Sequence, residues 1–286
     1  MKRFISLLAF AICLLLSCEQ PVIIDHTGGD ADDNLLVSIY KIEQQPFGSE
    51  LTRAIEAGLC NRLCFAVYDV SGKRLKQVNQ KAGDAGFGTV GFQLPEGHYQ
   101  VVVVGHNSDG NPTMTDPQKI KFDNADGYSD TFLHSEQVEV TDEPIELSVE
   151  LQRIVSLCRF VVTDDVPDQV TRLRFYYTGG SGAFDAKTGL GSVNSKQTVM
   201  FDVEPGQKQF DLYTFLRDAT GTLNLVVTAY DDADNIIQER EFEVPMTRRM
   251  ITQLAGPYFT SAGSSAISIV IGINDEWEGE QTITFE

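Results

Sequence analysis

The chain offers few groups that could carry chemistry, and their spacing removes most of the options. Its four histidines, His26, His98, His106 and His134, are scattered. His98 and His106 share strand parity but would lie about 27 Å apart along an extended strand, so they cannot hold one metal ion. Cys60, Cys64 and Cys158 supply three sulfurs with no well-spaced histidine, which misses the four-ligand zinc pattern. Three thiols allow one bridge with one free thiol, or three buried free thiols, and the spacing does not choose between them. Gly86-Phe87-Gly88-Thr89-Val90-Gly91 spells G-x-G-x-x-G. It lacks the preceding strand, following helix and downstream acidic residue that give the motif its dinucleotide meaning, and it reads as a flexible hairpin arm. No H-E-x-x-H, G-x-S-x-G or P-loop occurs.

Paired carboxylates could hydrolyse glycosides if a cleft held them at a defined separation, which spacing along a β chain does not reveal. Asp123, Asp126, Asp164, Asp165, Asp231, Asp232 and Asp234 fall at strand ends and turns. Asp123–Gly127 and Asp231–Asp234 both fail the full calcium-loop pattern. Trp277 is the single tryptophan and gives little support for a sugar-stacking platform. No catalytic, cofactor-binding or metal-ligating residue is assigned, and the chain is not expected to be an enzyme.

One residue has a defined chemical fate. Lys2 and Arg3 precede an apolar run from Phe4 to Leu16, which ends Leu15-Leu16-Ser17-Cys18. The run is too short to span a bilayer and has the flanks of an export signal. Its end resembles the lipobox of bacterial lipoproteins. That resemblance implies lipid transfer to the Cys18 thiol, cleavage between Ser17 and Cys18, and acylation of the new amine by a palmitate-type chain. A thiol is needed because the thiolate is the nucleophile. Residues 1–17 are then a signal peptide, and two or more acyl chains anchor the product stably without spanning. The expected location is the outer membrane, lipid-anchored and facing the cell surface. Residues 18–34 read as an acidic tether containing Pro21, Gly28, Gly29, Asp30, Asp32 and Asp33. His26 beside those acids could be drawn as a metal site, but such a composition stays solvated and does not order ligands. An acidic stretch close behind the cysteine resembles the surface-export signals of some Gram-negative lipoproteins.

Charge narrows the partners. Asp and Glu number 41 against 22 Lys and Arg in 286 residues, a net charge of -19. That excludes a nucleic-acid partner, whose phosphates demand a basic surface, and an electrostatic grip on anionic lipid. A 42% hydrophobic content supports real cores, and the length suggests about two domains.

The elements that must position these residues are strands. Short alternating or β-branched runs recur with turn punctuation, the pattern of an all-β sandwich. They are Leu35–Ile42, Arg62–Asp69, Arg74–Asn79, Thr89–Leu94, His98–Gly105, Ile145–Leu151 and Ile154–Val162, then Leu173, Phe175 and Tyr177 on one face. Thr198–Val203, Phe210–Leu216, Leu223–Tyr230, Ile236–Val244, Met250–Leu254, Ala266–Ile273 and Gln281–Phe285 follow. The four valines 101–104 suit a strand covered on both faces. Glu50–Ala57 is the one helical candidate, and no βαβ rhythm appears. Leu94-Pro95-Glu96-Gly97-His98-Tyr99 resembles a tyrosine corner, which makes Tyr99 structural. The turns after Tyr68 and Tyr230 match each other, weak support for a duplication. A boundary near Glu150–Ile154 divides the chain into sandwiches at 35–151 and 152–286.

Taken in order, the lipobox, Arg62–Asp69 with Gly72, Leu94–Val101, Leu147–Val155 and Leu225–Asp231 resemble the fimbrillin-like lipoproteins of Gram-negative anaerobes. The similarity is greatest to the anchor subunits of minor fimbriae (type V pili). It covers roughly Leu35–Glu286 through turn and strand patterns, and only Cys18 carries over as a functional residue. It implies two tandem transthyretin-like Greek-key sandwiches and a pilus-assembly role, with other fimbrial subunits as partners. Subunits of that family join when an extended segment of one chain completes the sheet of the next. Host protein or glycan is a further partner class in cell adhesion. In stalk subunits an Arg-specific protease removes the N-terminal segment, and Arg53–Ala54 resembles such a site. An ordinary linker arginine is the preferred reading of Arg53. Gln281–Glu286 alternates and reads either as a donor strand or as the last strand of its own domain. The alternatives to an anchor are a stalk or tip pilin cut after Arg53, and a surface glycan-binding lipoprotein.

Overall fold

The computed structural model describes residues 33–42, 60–123, 125, 127–260, 267–272 and 280–285. The signal peptide, Cys18, nearly all of the tether, Glu50–Ala57, Arg53–Ala54, Asp126 and Trp277 lie outside these residues.

Among the described residues the chain is all β, without helices. The first half runs β1 (Leu35–Ile42), β2 (Arg62–Asp69), β3 (Arg74–Lys81), β4 (Thr89–Phe92), β5 (Gly97–His106), β6 (Ile120–Lys121), β7 (Thr131–Val140) and β8 (Ile145–Arg153). The second runs β9 (Ser156–Val162), β10 (Arg172–Thr178), β11 (Ala183–Phe184), β12 (Gln197–Asp202) and β13 (Gln209–Thr214). It continues with β14 (Thr220–Tyr230), β15 (Ile236–Thr247), β16 (Ile251–Gly256), β17 (Ile267–Gly272) and β18 (Glu280–Phe285).

Side-chain parity explains the layers. In β10, Leu173, Phe175 and Tyr177 are fully buried and alternate with half-buried residues. In β5 all four valines are buried: Val101 and Val103 enter one core, Val102 and Val104 another. A strand covered on both faces can be uniformly apolar, as this one is.

The two halves follow one path. β3-β2-β5-β7 corresponds to β12-β10-β14-β15, and β4-β1-β8 to β13-β9-β16. In each half the first strand lies parallel to the last, β1 on β8 and β9 on β16, and antiparallel to the fourth long strand. The first half counts as one sheet only because β7 and β8 touch at Phe132↔Arg153 and Leu133↔Gln152. The second half adds β18 parallel to β16, and β17 antiparallel to β18. The matched turns are therefore not equivalent in this path. The one after Tyr68 joins second and third strands, and the one after Tyr230 joins fifth and sixth. Their likeness is local chemistry: Asp69 Oδ1 accepts from the amides of Ser71 and Lys73, and Asp231 Oδ1 from those of Ala233 and Asn235.

Each half has its own core, and a third core fills the junction with Tyr68, Met114, Phe122, Phe184, Phe215 and Ile251. There β6 pairs with β11, and the Phe215 ring packs 5.0 Å from Phe184. Arg153 makes a two-pronged bond to Asp130, Nε to Oδ1 at 2.8 Å and Nη2 to Oδ2 at 2.7 Å, with both side chains nearly buried. A guanidinium buried here without that carboxylate would be strongly destabilising.

Candidate functional site

The strand whose position bears on assembly is β1. Leu35, Val37 and Ile42 are all fully buried in the first core, while the intervening residues are half-buried or exposed. Both edges are bonded, antiparallel to β4 (Leu35↔Phe92 to Ser38↔Thr89) and parallel to β8 (Leu35↔Ile145 to Ile42↔Leu151). Asn34 clasps the entry: its Nδ2 donates to Leu94 O at 2.8 Å, and its Oδ1 accepts from Leu94 N at 2.9 Å. Lys41 closes the other end on Glu150 at 2.6 Å, just past an irregularity between Ile39 and Lys41. The strand is thus an inserted element between two others that never pair with each other.

The tyrosine corner expected at Tyr99 is present: its hydroxyl donates to Pro95 O at 2.8 Å. The glycine-rich run is the connection from β3 to β4, and Gln80 pins it. The Gln80 amide accepts from Gly88 N and donates to Gly86 O and Thr89 O. A phosphate would need the amide donors of this run, and those of Phe87, Gly88 and Thr89 are already given to Asp84 O, Gln80 Oε1 and Gly86 O. His98 is exposed and His106 fully buried, at opposite ends of β5.

All three described cysteines are free and buried, so the bridged alternative does not hold. Burial pushes each thiol up to about 12, which leaves them protonated and inert. Cys64 Sγ lies 3.7 Å from His106 Nε2. The Ser108 amide donates to His106 Nδ1 at 3.2 Å, so the ring proton sits on Nε2 and points at the sulfur. Burial first, and the charge of nearby Arg62 second, lower His106 to about 4. A neutral imidazole beside a neutral thiol is a packing pair, not a nucleophile and base.

Asp164 shows where an acid from the sequence does structural work. Its carboxylate accepts from the amides of Tyr258, Phe259 and Thr260 and from the Thr260 hydroxyl, tying the end of β9 to the end of β16. Partial burial pushes its carboxyl up, but the amide donors outweigh that and hold it below the usual range. Among the described residues no group of three or more His, Cys, Asp or Glu could hold a metal ion. No described helix is long and apolar enough to cross a membrane.

The model of a family described as of unknown function, DUF6562, matches residues 34–286. No curated protein matches the chain. Among solved structures, a candidate adhesin from Bacteroides ovatus is similar at 15% identity and a TM-score of 0.50, covering 75% of this chain and 84% of that one. The fimbrial anchor protein Mfa2 from Porphyromonas gingivalis aligns at 15% identity and TM-score 0.41, covering 73% and 81%. A fimbrial assembly protein from Parabacteroides distasonis aligns at 13% and 0.41, covering 88% and 98%. The likeness to the adhesin is one of fold.

Proposed function

This chain belongs to the DUF6562 family, and we propose that it is a non-enzymatic, lipid-anchored surface protein that serves as the anchor or a minor subunit of a fimbria. The observation that carries this reading is the placement of β1: an inserted strand, bonded on both edges, with three apolar side chains plugging the first core. A fold built this way has a groove that an equivalent strand from another subunit can fill, with main-chain bonds for affinity and side-chain pockets for register. The shared fold with the Bacteroides ovatus adhesin and the lipobox ending at Cys18 support the same reading. Under it, residues 35–151 and 152–286 are tandem transthyretin-like units, acylated Cys18 holds the protein in the outer membrane, and other fimbrial subunits are the partners.

The anchor role is preferred because the lipid and β1 then stay on one chain. A second reading, a stalk or tip subunit cut after Arg53, is favoured by one feature: Arg53–Ala54 lies between β1 and β2, where a cut would release β1. Deleting the protein from its native cells separates the two. An anchor's loss leaves assembled pili that shed into the medium, whereas a stalk subunit's loss abolishes the polymer.

A further inference from the structure

We propose that the junction between the two halves carries a binding groove for a carboxylated oligosaccharide, a site that does not depend on the fimbrial reading. Two cavities of about 470 and 660 Å³ share Ser135 and Lys187 as lining residues and so form one groove along the outward face of β7. Together they span the size range of pockets that take small ligands.

The lining differs along its length. At one end Lys187, Arg248 and Arg249 gather beside Glu150, whose carboxylate is paired with Lys41 at 2.6 Å, in a chain whose carboxylates outnumber its cations nearly two to one. Tyr40 lines the same end and is 47% exposed, presenting an aromatic face. At the other end the lining is amide, hydroxyl and carboxylate, including Gln100, Gln118, Gln137 and Asp185. Apolar sockets of the kind that seat peptide side chains do not dominate either part. Amides and carboxylates suit sugar hydroxyls, which donate and accept at once. An exposed tyrosine suits the C–H face of a sugar ring, and arginines suit a carboxylate.

The cationic end is constructed, not a chance of loose surface side chains. Arg248 Nη2 donates to Thr188 O at 2.7 Å across Gly189. A side chain at position 189 would strike Ile154 Cγ2 at 2.7 Å, and the backbone there has φ +65, so glycine is needed twice over. Arg249 adopts φ 61, a conformation that turns ordinarily give to Gly or Asn, and the Ser156 hydroxyl accepts from its amide at 3.1 Å. The Arg249 side chain lines the groove on the same wall as Lys187 and Arg248.

The test is calorimetric titration of the full chain with two acidic probes, tetragalacturonate and sialyllactose, and their neutral counterparts, maltotetraose and lactose. The proposal expects at least one acidic probe to bind, more weakly as salt is raised, and its neutral counterpart to bind at least about tenfold less well. Arg249→Gly suits the left-handed turn and removes the charge, and its melting curve verifies that the variant folds. It and Lys187→Gln should each weaken binding about tenfold, the worth of one charge-assisted bond. Failure of both acidic probes, equal binding of the neutral sugars, or unaltered affinity in both folded variants would overturn the proposal.

Discussion

His106 is the residue whose environment makes the sharpest prediction. In the unfolded chain an imidazole takes its proton near 6.5, but in the fold burial delays this to about 4. The stabilisation from keeping it neutral is complete above 6.5 and is lost as pH falls toward 4, because the unfolded state then binds the extra proton. Urea unfolding should therefore show a loss of roughly 2–3 kcal/mol between about pH 7 and 4.5 that is absent in His106→Leu. An identical pH slope in both proteins would refute this account of His106. At this scale the sequence was readable where a local pattern fixes a contact: the Pro95–Tyr99 spacing announces its own hydrogen bond. Cys64 and His106, forty-two positions apart, meet only because β2 and β5 pair in one register, Cys64↔Val104 and Arg62↔His106.

β1 holds the proposed mechanism at the scale of an element. Its Leu35, Val37 and Ile42 each contribute roughly 1.5–3 kcal/mol of burial, all of it withdrawn if the strand leaves. A chain lacking β1 should melt lower, and a synthetic peptide of the Leu35–Ile42 sequence should restore the melting temperature, whereas the same peptide carrying Val37→Asp should not. Peptide-independent stability of the truncated chain would sink the inserted-strand view. The bounds of β1 and β2 were legible to the residue, because alternation and β-branching mark a half-buried or central strand. Thr131–Val140 was not. Its middle, His134-Ser135-Glu136-Gln137, lines the polar groove and breaks the apolar alternation that betrays a strand. The turns after Tyr68 and Tyr230 suggested the wrong correspondence, since an aspartate collecting two amides makes the same loop at any hairpin.

At the scale of the molecule, the repeated path of the two halves follows from composition only in outline. Turn-punctuated strands say sandwich, but the parallel contact of first and last strands and the β6–β11 clasp are settled by pairing over long separations. The groove was illegible for the same reason: Tyr40, Ser135, Lys187 and Arg249 come from four distant segments. On the proposed reading, the lipid at one end and the strand groove next to it make a device for fixing a polymer to a membrane, and both depend on which N-terminus the mature chain keeps. Intact mass with N-terminal mapping of the protein from its native cells tests that most directly. The account predicts a chain that begins at acylated Cys18 and retains β1. A chain that begins at Ala54, without lipid, would contradict it.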